Sequence, residues 1–438
     1  MADSLLITHG RVLNPASAMD RASDVAIVDG RIAAIGPNLS FDASATVIDA
    51  RGCLVVPGLI DPHVHLREPG GEYKETIASG TLAAVAGGFT AVCCMPNTSP
   101  ALDTPELIRL IRARTEETGH CRVFPVGAVS VGRKGEHLAE ISLMSRAGAV
   151  GFSDDGDAVA SAGLMARALG VIKTTGRALM QHCQEPTLTA RASMHAGSVA
   201  TRFGLAGWPR VAEEIIIERD IRLNRGIGCR YHVQHISSGE SVEIVRRARS
   251  DGQPITAEAS PHHLLLTHEA VDRGGVPDTN AKVNPPLRED KDVRAIREGV
   301  ADGTITVLGT DHAPHAAHEK AMPFEEAPMG LVGLETALAL YVKALVEPGL
   351  IDWMKLIELM TVAPARLCGL DAMGLGSLTV GGPGDVTVID PDAAWTIRAD
   401  DLVGMSRNTP FDGWDVRGRV RATIVVGRTA YRADPISA

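Results

Sequence analysis

The sequence predicts an α/β protein, namely a (β/α)8 TIM barrel with a small β-sandwich domain built from both chain ends. The length of 438 residues suits one barrel of about 250 residues and a smaller module. Short apolar runs followed by helical patterns recur through the middle of the chain, which is typical of parallel strands joined by crossover helices. Near both ends, apolar and polar residues alternate instead, as they do in antiparallel strands.

Eight apolar runs of about 4 to 8 residues are the predicted barrel strands. Amphipathic stretches between them predict the helices. Thr104 suits the N-cap of one helix and Pro105 its first position, and Gly226 suits the end of another. The runs cover residues 54–60, 89–95, 122–128, 148–153, 178–182, 230–235, 254–259 and 304–309. Eight such units predict a closed barrel.

Four segments near the chain ends predict antiparallel strands with glycine-bearing turns. They are "DVAIVDGRIAAIG" and "TVIDARG" near the N-terminus, and "GDVTVIDPDAAWTI" and "RATIVVGRTAYR" near the C-terminus. Because neither end is long enough to form a sandwich alone, we expect the two to pair across the barrel. The predicted domains are residues 1–54 and 374–438, as the two parts of the small β domain, and residues 55–373, as the barrel.

The composition argues against two classes of partner. Lys and Arg total 43 against 53 Asp and Glu, which gives a net charge of -10, and no basic stripe offers a surface to nucleic acid. No window is apolar for long enough to span a membrane, and "MADSLLITHGRVLN" lacks the basic start and long apolar stretch of a secretory signal. We therefore expect a cytoplasmic enzyme that binds neither nucleic acid nor a membrane.

Polar side chains stand where the predicted strands end. The reactive groups of a (β/α)8 barrel lie at this rim, because it carries the variable loops. The residues at these ends are His63 and His65 on the first strand, Asn97 on the second, Asp154 and Asp155 on the fourth, His182 on the fifth, His235 on the sixth and Asp311 on the eighth. Together they outline a metal site.

The motif "HVH" spaces two histidines so that both side chains face the same way. Side chains at i and i+2 of a strand share a face, so His63 and His65 can hold one cation with bonds of about 2.0 to 2.1 Å. Alone, HxH is weak evidence, since it also occurs as an ordinary strand-end pair. Imidazoles and carboxylates gathered at one rim would carry a desolvation cost, and a cation offsets that cost.

Nitrogen and oxygen ligands without cysteine favour zinc, with manganese or cobalt as substitutes. Six ligands exceed the needs of one tetrahedral zinc, so we expect two ions about 3.5 to 4 Å apart, bridged by an aspartate of the fourth strand and by a hydroxide. Adjacent Asp154 and Asp155 face opposite ways, and the residues alone leave the choice between them open. Such a centre generates hydroxide near neutral pH and polarises a carbonyl, which is chemistry for amide hydrolysis.

The motifs "DPHVHLREPG", "MPNT", "FSDDG", "VQHIS", "NPPLR" and "TDHAPH" resemble those of the amidohydrolase superfamily and, within it, of the long, two-domain bacterial dihydroorotases. The resemblance covers nearly the whole chain. It implies the reversible closure of N-carbamoyl-L-aspartate to L-dihydroorotate and water in pyrimidine synthesis. Many members of the superfamily bridge their metals with a carboxylated lysine, but "RAGAVGFSDDGDA" contains none, so an aspartate must bridge here.

The resemblance also implies roles for particular residues. It implies two Zn²⁺ per subunit, one held by His63, His65 and Asp155 and the other by Asp155, His182 and His235. Asp311 matches the catalytic acid/base, which also approaches the metal. The implied substrate contacts are Arg67, Asn97, Asn284, His315 and the backbone around Met329 and Gly330.

Each role has a chemical reason and an alternative. Arg67 leaves the strand end beside His65 and could hold a carboxylate by two parallel hydrogen bonds, or else pair with Glu68 or Glu72 at the surface. Asn97 could complete the clamp or form an Asx turn. Asp311 could move a proton or cap its loop. The remaining rim histidines, His262 and His263 of "SPHHL", are interpreted as structural or supporting residues.

Two other functions remain open at the level of sequence. One is a different cyclic-amide hydrolase, such as a hydantoinase, dihydropyrimidinase or allantoinase, because the metal chemistry would be the same and only the substrate clamp would differ. The other is a silent barrel that serves as a scaffold for aspartate transcarbamoylase, with which some dihydroorotases assemble. We expect a small-molecule substrate and a homodimer.

Overall fold

The computed structural model describes residues 4–40 and 45–433. Within these residues its strands are β1 (Ser4–Asn14), β2 (Met19–Val28), β3 (Arg31–Gly36), β4 (Thr46–Asp49), β5 (Leu54–Pro57), β6 (Leu59–Val64), β7 (Phe89–Cys94), β8 (Arg122–Pro125), β9 (Gly151–Phe152), β10 (Ala178–Gln181), β11 (Met194–His195), β12 (Gly207–Trp208), β13 (Arg230–Val233), β14 (Ile255–Ala259), β15 (Val307–Leu308), β16 (Val386–Thr396), β17 (Asp415–Val425) and β18 (Arg428–Arg432).

The α-helices lie mostly between the barrel strands. They are α1 (Ile77–Ala86), α2 (Pro105–Thr118), α3 (Ile141–Ala147), α4 (Ala162–Thr175), α5 (Pro186–Thr189), α6 (Ser198–Phe203), α7 (Val211–Asn224), α8 (Gly239–Ser250), α9 (Pro261–Leu265), α10 (Asp290–Ala301), α11 (Ala317–Lys320), α12 (Ala337–Tyr341), α13 (Trp353–Met360) and α14 (Val362–Cys368). No helix in residues 4–40 and 45–433 has both the length and the apolar character that crossing a bilayer requires.

Eight parallel strands form the barrel. One run of pairings joins β6, β7 and β8, and another joins β9, β10, β13, β14 and β15. Parallel bridges from Gly127 to Phe152 and from Val64 to His312 connect the two runs at both seams. The ring therefore closes, and all eight strands direct their carboxyl ends to one rim.

The predicted first barrel strand, residues 54–60, is wrong in one respect, because it is two strands. The segment β5 pairs with β1 and β16 in the sheet built from the chain ends, and the barrel strand β6 begins only at Leu59. Between them, a Cβ added at Gly58 would lie 2.1 Å from the Thr90 hydroxyl, so the chain changes sheets where only glycine fits. Both strands are buried throughout, so the apolar run did not show the break.

Strands from both ends of the chain share one sheet of eight strands. Its order is β18, β17, β16, β5, β1, β2 and β3, with β4 paired to the first half of β1. The prediction that residues 46–52 form an antiparallel strand is wrong, because β4 runs parallel to β1. The inner face buries an apolar cluster that includes Ile7, Val25, Ile27, Val388 and Ile424. The division into domains at residues 54 and 374 stays a prediction, with β5 at its border.

The local helix signals agree with the structure. Thr104 is the N-cap of α2, with its side chain accepting a hydrogen bond from the backbone of Leu107, and Pro105 is the first helical residue. Helix α7 ends at Asn224, two residues before Gly226. These helices pack apolar faces onto the barrel and leave the rim to the loops.

Candidate metal centre

Four barrel strands bring five of the predicted ligands together at their carboxyl ends. His63 lies near the end of β6 and His65 directly follows it, while Asp155 follows β9, His182 follows β10 and His235 follows β13. All five side chains are buried. They form two groups of three that share Asp155, and within each group the potential ligand atoms lie within 4.8 Å of one another. The two groups are the same as the two ligand sets that the family resemblance implied.

Asp155 is the centre of this arrangement. Its Oδ1 lies 3.4 Å from His63 Nε2, 3.4 Å from His182 Nδ1 and 3.4 Å from His235 Nε2. Its Oδ2 lies 3.3 Å from His65 Nε2. Burial alone would raise the pKa of Asp155. The nearby histidines, His63 foremost, lower the pKa by more than burial raises it, so the pKa lies well below its ordinary value. The carboxyl is therefore ionised, as a metal ligand must be.

Asp154 faces the other way and has a different role. Its carboxylate accepts hydrogen bonds from the backbone N–H groups of Val129 at 2.8 Å and Ser130 at 3.0 Å, and from the Ser130 hydroxyl. These bonds tie the loop after β8 to the loop after β9. The geometry therefore favours Asp155 as the bridging residue.

The donor atoms fit a bound cation. His63 Nε2 and Asp155 Oδ1 are buried and make no hydrogen bond to any residue that the structure describes. Buried polar atoms without partners carry a free-energy cost, and a cation between the imidazoles and the carboxylate would offset it. Neutral imidazole and carboxylate are the ligand types that zinc accepts without cysteine.

A cavity of about 200 Å³ opens onto these residues. Every predicted substrate contact lies in its lining. The complete lining is His65, Arg67, Asn97, Asp155, Gly156, His182, His235, Asn284, Asp311, Ala313, His315, Met329 and Gly330. His63 lies behind this wall, buried completely. Residues separated by more than 200 positions in sequence thus line one small chamber.

Three residues of this chamber hold an unusual backbone conformation. Arg67, His235 and Asp311 have φ values of 61°, 29° and 52°, in the left-handed region that side-chain-bearing residues seldom adopt. Each follows its strand directly or within a few residues. Such positions cost about 1 to 3 kcal/mol each and are held where the surroundings demand a particular side-chain direction.

Arg67 points toward His315 at one end of the chamber. Its Nε donates to the carbonyl of Pro314 at 3.1 Å, and its Nη2 lies 3.3 Å from His315 Nε2. Burial lowers the pKa of Arg67 to about 10, which leaves it cationic at neutral pH. Glu68 and Glu72 instead accept hydrogen bonds from the backbone, so the surface-pair alternative lacks support.

His315 is a neutral imidazole next to Arg67. Its Nε2 lies 2.9 Å from the Met329 carbonyl oxygen. Burial, aided by the positive charge of Arg67, lowers the pKa of His315 to about 2. Because His315 is uncharged, Arg67 carries the positive charge at this end of the chamber.

Asn97 and Gln184 contact the histidine rings. The Asn97 Oδ1 lies 2.8 Å from His65 Nδ1, and the Gln184 Oε1 lies 2.9 Å from His182 Nε2. Asn284 donates to the same Gln184 oxygen at 3.2 Å. An oxygen acceptor at one ring nitrogen places the proton there and frees the other nitrogen for a metal. Asn97 therefore supports a ligand, a role that the sequence analysis did not foresee.

Glu258, a buried residue inside the barrel on β14, was not predicted from the sequence. Its Oε1 is 2.5 Å from His63 Nδ1. The one signal was a glutamate in the otherwise apolar and small run "PITAEA". His262 and His263 lie beyond this strand with ring centroids 4.3 Å apart, and His263 Nε2 is 3.0 Å from the Pro285 carbonyl oxygen. They do not line the chamber.

Comparisons with known proteins identify the family of this chain. Residues 52–241 match a family model described as "Dihydro-orotase-like". A dihydroorotase from Pelobacter propionicus is 46% identical over 98% of this chain and 100% of the relative, and one from Syntrophotalea carbinolica is 48% identical over 98% and 99%. The chain belongs to the dihydroorotase family. It is thus an enzyme of the cyclic-amide hydrolase class, and the predicted resemblance is confirmed.

Solved structures extend the comparison. An L-hydantoinase from Arthrobacter aurescens has a TM-score of 0.87 and 27% identity over 98% of this chain and 96% of its own. A dihydropyrimidinase from Brevibacillus agri, with a TM-score of 0.86 and 22% identity over 98% and 95%, shows the fold alone. The predicted TIM barrel with a β-sandwich domain is confirmed. This chain thus shares its architecture with a protein named L-hydantoinase and one named dihydropyrimidinase.

Proposed function

We propose that this protein catalyses the reversible conversion of L-dihydroorotate and water to N-carbamoyl-L-aspartate in the cytoplasm. The observation that carries the proposal is a single buried carboxylate, Asp155, shared by two histidine pairs beside the Arg67 guanidinium. The first feature suits hydrolysis of an amide, and the second suits a substrate that bears a carboxylate. The relatives named dihydroorotase support the same substrate.

Two zinc ions are the proposed cofactors. One would be held by His63, His65 and Asp155, and the other by Asp155, His182 and His235. Bound zinc supplies Lewis acidity and lowers the pKa of water toward about 7. The protein holds these ligands at the ends of four barrel strands, which are rigid supports for such a centre.

Asp311 is the proposed acid and base. Its Oδ1 lies 3.1 Å from His65 Nε2 and 3.5 Å from His63 Nε2, at the wall of the chamber. During hydrolysis it takes a proton from the water that attacks the ring carbonyl carbon. It then gives that proton to the ring nitrogen as the C–N bond breaks. In the synthetic direction the same carboxylate acts in the reverse order.

The substrate clamp is assigned to the other chamber residues. Arg67 would hold the substrate carboxylate with two parallel hydrogen bonds, assisted by Asn97 and His315. Asn284 and the backbone at Met329 and Gly330 line the same chamber, and the Met329 carbonyl oxygen lies 2.9 Å from His315 Nε2. Gly330 has a φ of 135°, and a Cβ there would lie 2.6 Å from that of Ala313, so the backbone approaches where a side chain could not.

Two further proposals are a homodimer and, as the family resemblance implies, an assembly with aspartate transcarbamoylase as a second role. The proposed domain bounds, a small β domain of residues 1–54 and 374–438 and a barrel of residues 55–373, rest on the pattern of apolar and alternating segments in the sequence. A silent scaffold is disfavoured, because the two ligand groups are complete. Another cyclic-amide hydrolase is disfavoured by the cation at Arg67, which suits a carboxylate.

A metal count combined with a substrate panel tests the proposal. Zinc-loaded protein is assayed with L-dihydroorotate, hydantoin, dihydrouracil and allantoin, and bound metal is measured on the same sample. We expect two zinc ions per chain and turnover of L-dihydroorotate well above the other three. Exclusive turnover of the others would replace the proposed substrate, and protein that binds no zinc would favour the scaffold.

A further inference from the structure

Glu258 is a carboxylate enclosed in the barrel interior. It is fully buried on β14, directly below the rim. Its Oε1 lies 2.5 Å from His63 Nδ1 and accepts the His235 backbone N–H at 3.2 Å. Its Oε2 lies 3.0 Å from His232 Nε2 on the neighbouring strand β13. The carboxylate therefore joins a proposed metal ligand to a second buried histidine.

These contacts fix where the protons are. A carboxylate only accepts hydrogen bonds, so His63 Nδ1 and His232 Nε2 must each carry a proton. Gln234 Nε2 also lies 3.2 Å from His63 Nδ1, but the shorter contact with the carboxylate decides the proton's place. His63 is then left with a lone pair on Nε2, the atom that faces Asp155. This is the tautomer that a metal requires.

His232, the second histidine that contacts Glu258, is itself held by a hydrogen bond. His232 Nδ1 lies 2.8 Å from the Thr256 hydroxyl, which donates to it once Nε2 carries the proton. A buried carboxylate is costly unless it is fully hydrogen-bonded, and here two imidazoles and a backbone N–H provide the bonds. The resulting chain from Thr256 through His232 and Glu258 to His63 lies on three barrel strands, which restricts its movement.

We propose that Glu258 is a positioning residue that fixes the tautomer and ring orientation of His63 for metal binding. His232 and Thr256 hold Glu258 in place. This inference rests on the metal centre proposed above. A carboxylate partner raises the basicity of a metal-bound imidazole, and loss of such a partner typically weakens metal binding by about 10- to 100-fold.

Glu258→Gln tests the inference, because the amide keeps the shape but presents an N–H where one imidazole needs an acceptor. Zinc affinity is measured on the apoprotein by competition with a chromophoric chelator, separately from turnover. We expect about 10- to 100-fold weaker binding. The matched control is Glu213→Gln. Glu213 is a buried carboxylate that accepts hydrogen bonds from Ser237 and Ser238 and contacts none of the proposed ligand side chains.

The outcomes separate this inference from the proposed function. Wild-type protein that binds no zinc would remove the metal centre itself. If wild-type binds zinc and Glu258→Gln binds it equally well, or if Glu213→Gln loses as much affinity, the positioning role is overturned. Should Glu258→Gln not fold, NMR of zinc-loaded wild-type protein with ¹⁵N-labelled histidine still decides. We expect a downfield proton on His63 Nδ1, and an unprotonated Nδ1 would overturn the inference.

Discussion

At the scale of single residues, Asp311 is the group whose loss should separate chemistry from metal binding. Asp311→Asn keeps the size of the side chain but cannot take a proton. The five other proposed ligand residues remain, so we expect zinc content to be retained while kcat falls about 10²- to 10⁴-fold. Metal analysis and steady-state kinetics with L-dihydroorotate on the same preparation check both parts.

The neighbouring Asp61→Asn is a suitable control for Asp311. Asp61 accepts hydrogen bonds through Oδ1 from the backbone of His63 and Thr310, and an asparagine oxygen can accept the same bonds. It does not line the chamber. We expect a much smaller loss of kcat in this variant. Unchanged kcat in Asp311→Asn would refute the acid and base role.

Arg67 provides a second prediction at this scale, because lysine keeps the charge but not the planar pair of donors. Losing one charge-assisted hydrogen bond costs about 1.5 to 3 kcal/mol, so kcat/KM for L-dihydroorotate should fall about 10- to 100-fold in Arg67→Lys. Arg114→Lys is the control, since Arg114 contacts Glu68 and Glu117 on the exterior. Equal kinetics in the two variants would remove Arg67 from the clamp.

At the scale of elements, agreement between sequence and structure follows how local the deciding interaction is. The start of α2 was predictable because Thr104 and Pro105 act on the first turn only. The division between β5 and β6 was not, because strands buried on both faces show no alternation that would mark a change of sheet. That division depends on which distant strand, β16 or β7, the chain pairs with.

The N-cap of α2 also gives a prediction about stability. The Thr104 hydroxyl accepts the Leu107 N–H at 3.4 Å, a long bond, so Thr104→Ala should lower the free energy of unfolding by about 0.5 to 1 kcal/mol. Chemical denaturation measures this, with Thr118→Ala as control because Thr118 bonds only within the last turn of the same helix. Turnover should not change, since the exterior helix does not line the chamber. An equal loss in both variants would contradict a capping role.

At the scale of the whole molecule, the polar residues at the strand ends could be predicted as a set, but the residues that contact and orient them could not. Closure of the barrel brings β6, β9, β10, β13 and β15 to one rim, so a list of polar strand ends already gave the proposed ligands. The family resemblance already implied Asp155, but the residues alone could not distinguish it from Asp154, because that distinction needs the directions of two adjacent side chains. The role of Glu258 could not be predicted from the sequence, because it depends on a contact between β14 and His63 of β6 across the barrel interior and on a second contact with His232.

Removal of metal should show how far the whole fold depends on the proposed centre. The barrel core is extensive without the rim, so the apoprotein should remain folded. It should nonetheless be less stable, since a ligand that binds only the folded state adds about 2.7 kcal/mol when its free concentration is 100 times Kd. Thermal unfolding with zinc and with a chelator measures the difference, and magnesium is the control because it favours oxygen over imidazole ligands. A Tm that does not depend on zinc concentration would mean that zinc does not bind to the folded protein, and that the buried histidines and Asp155 are stable together without a cation.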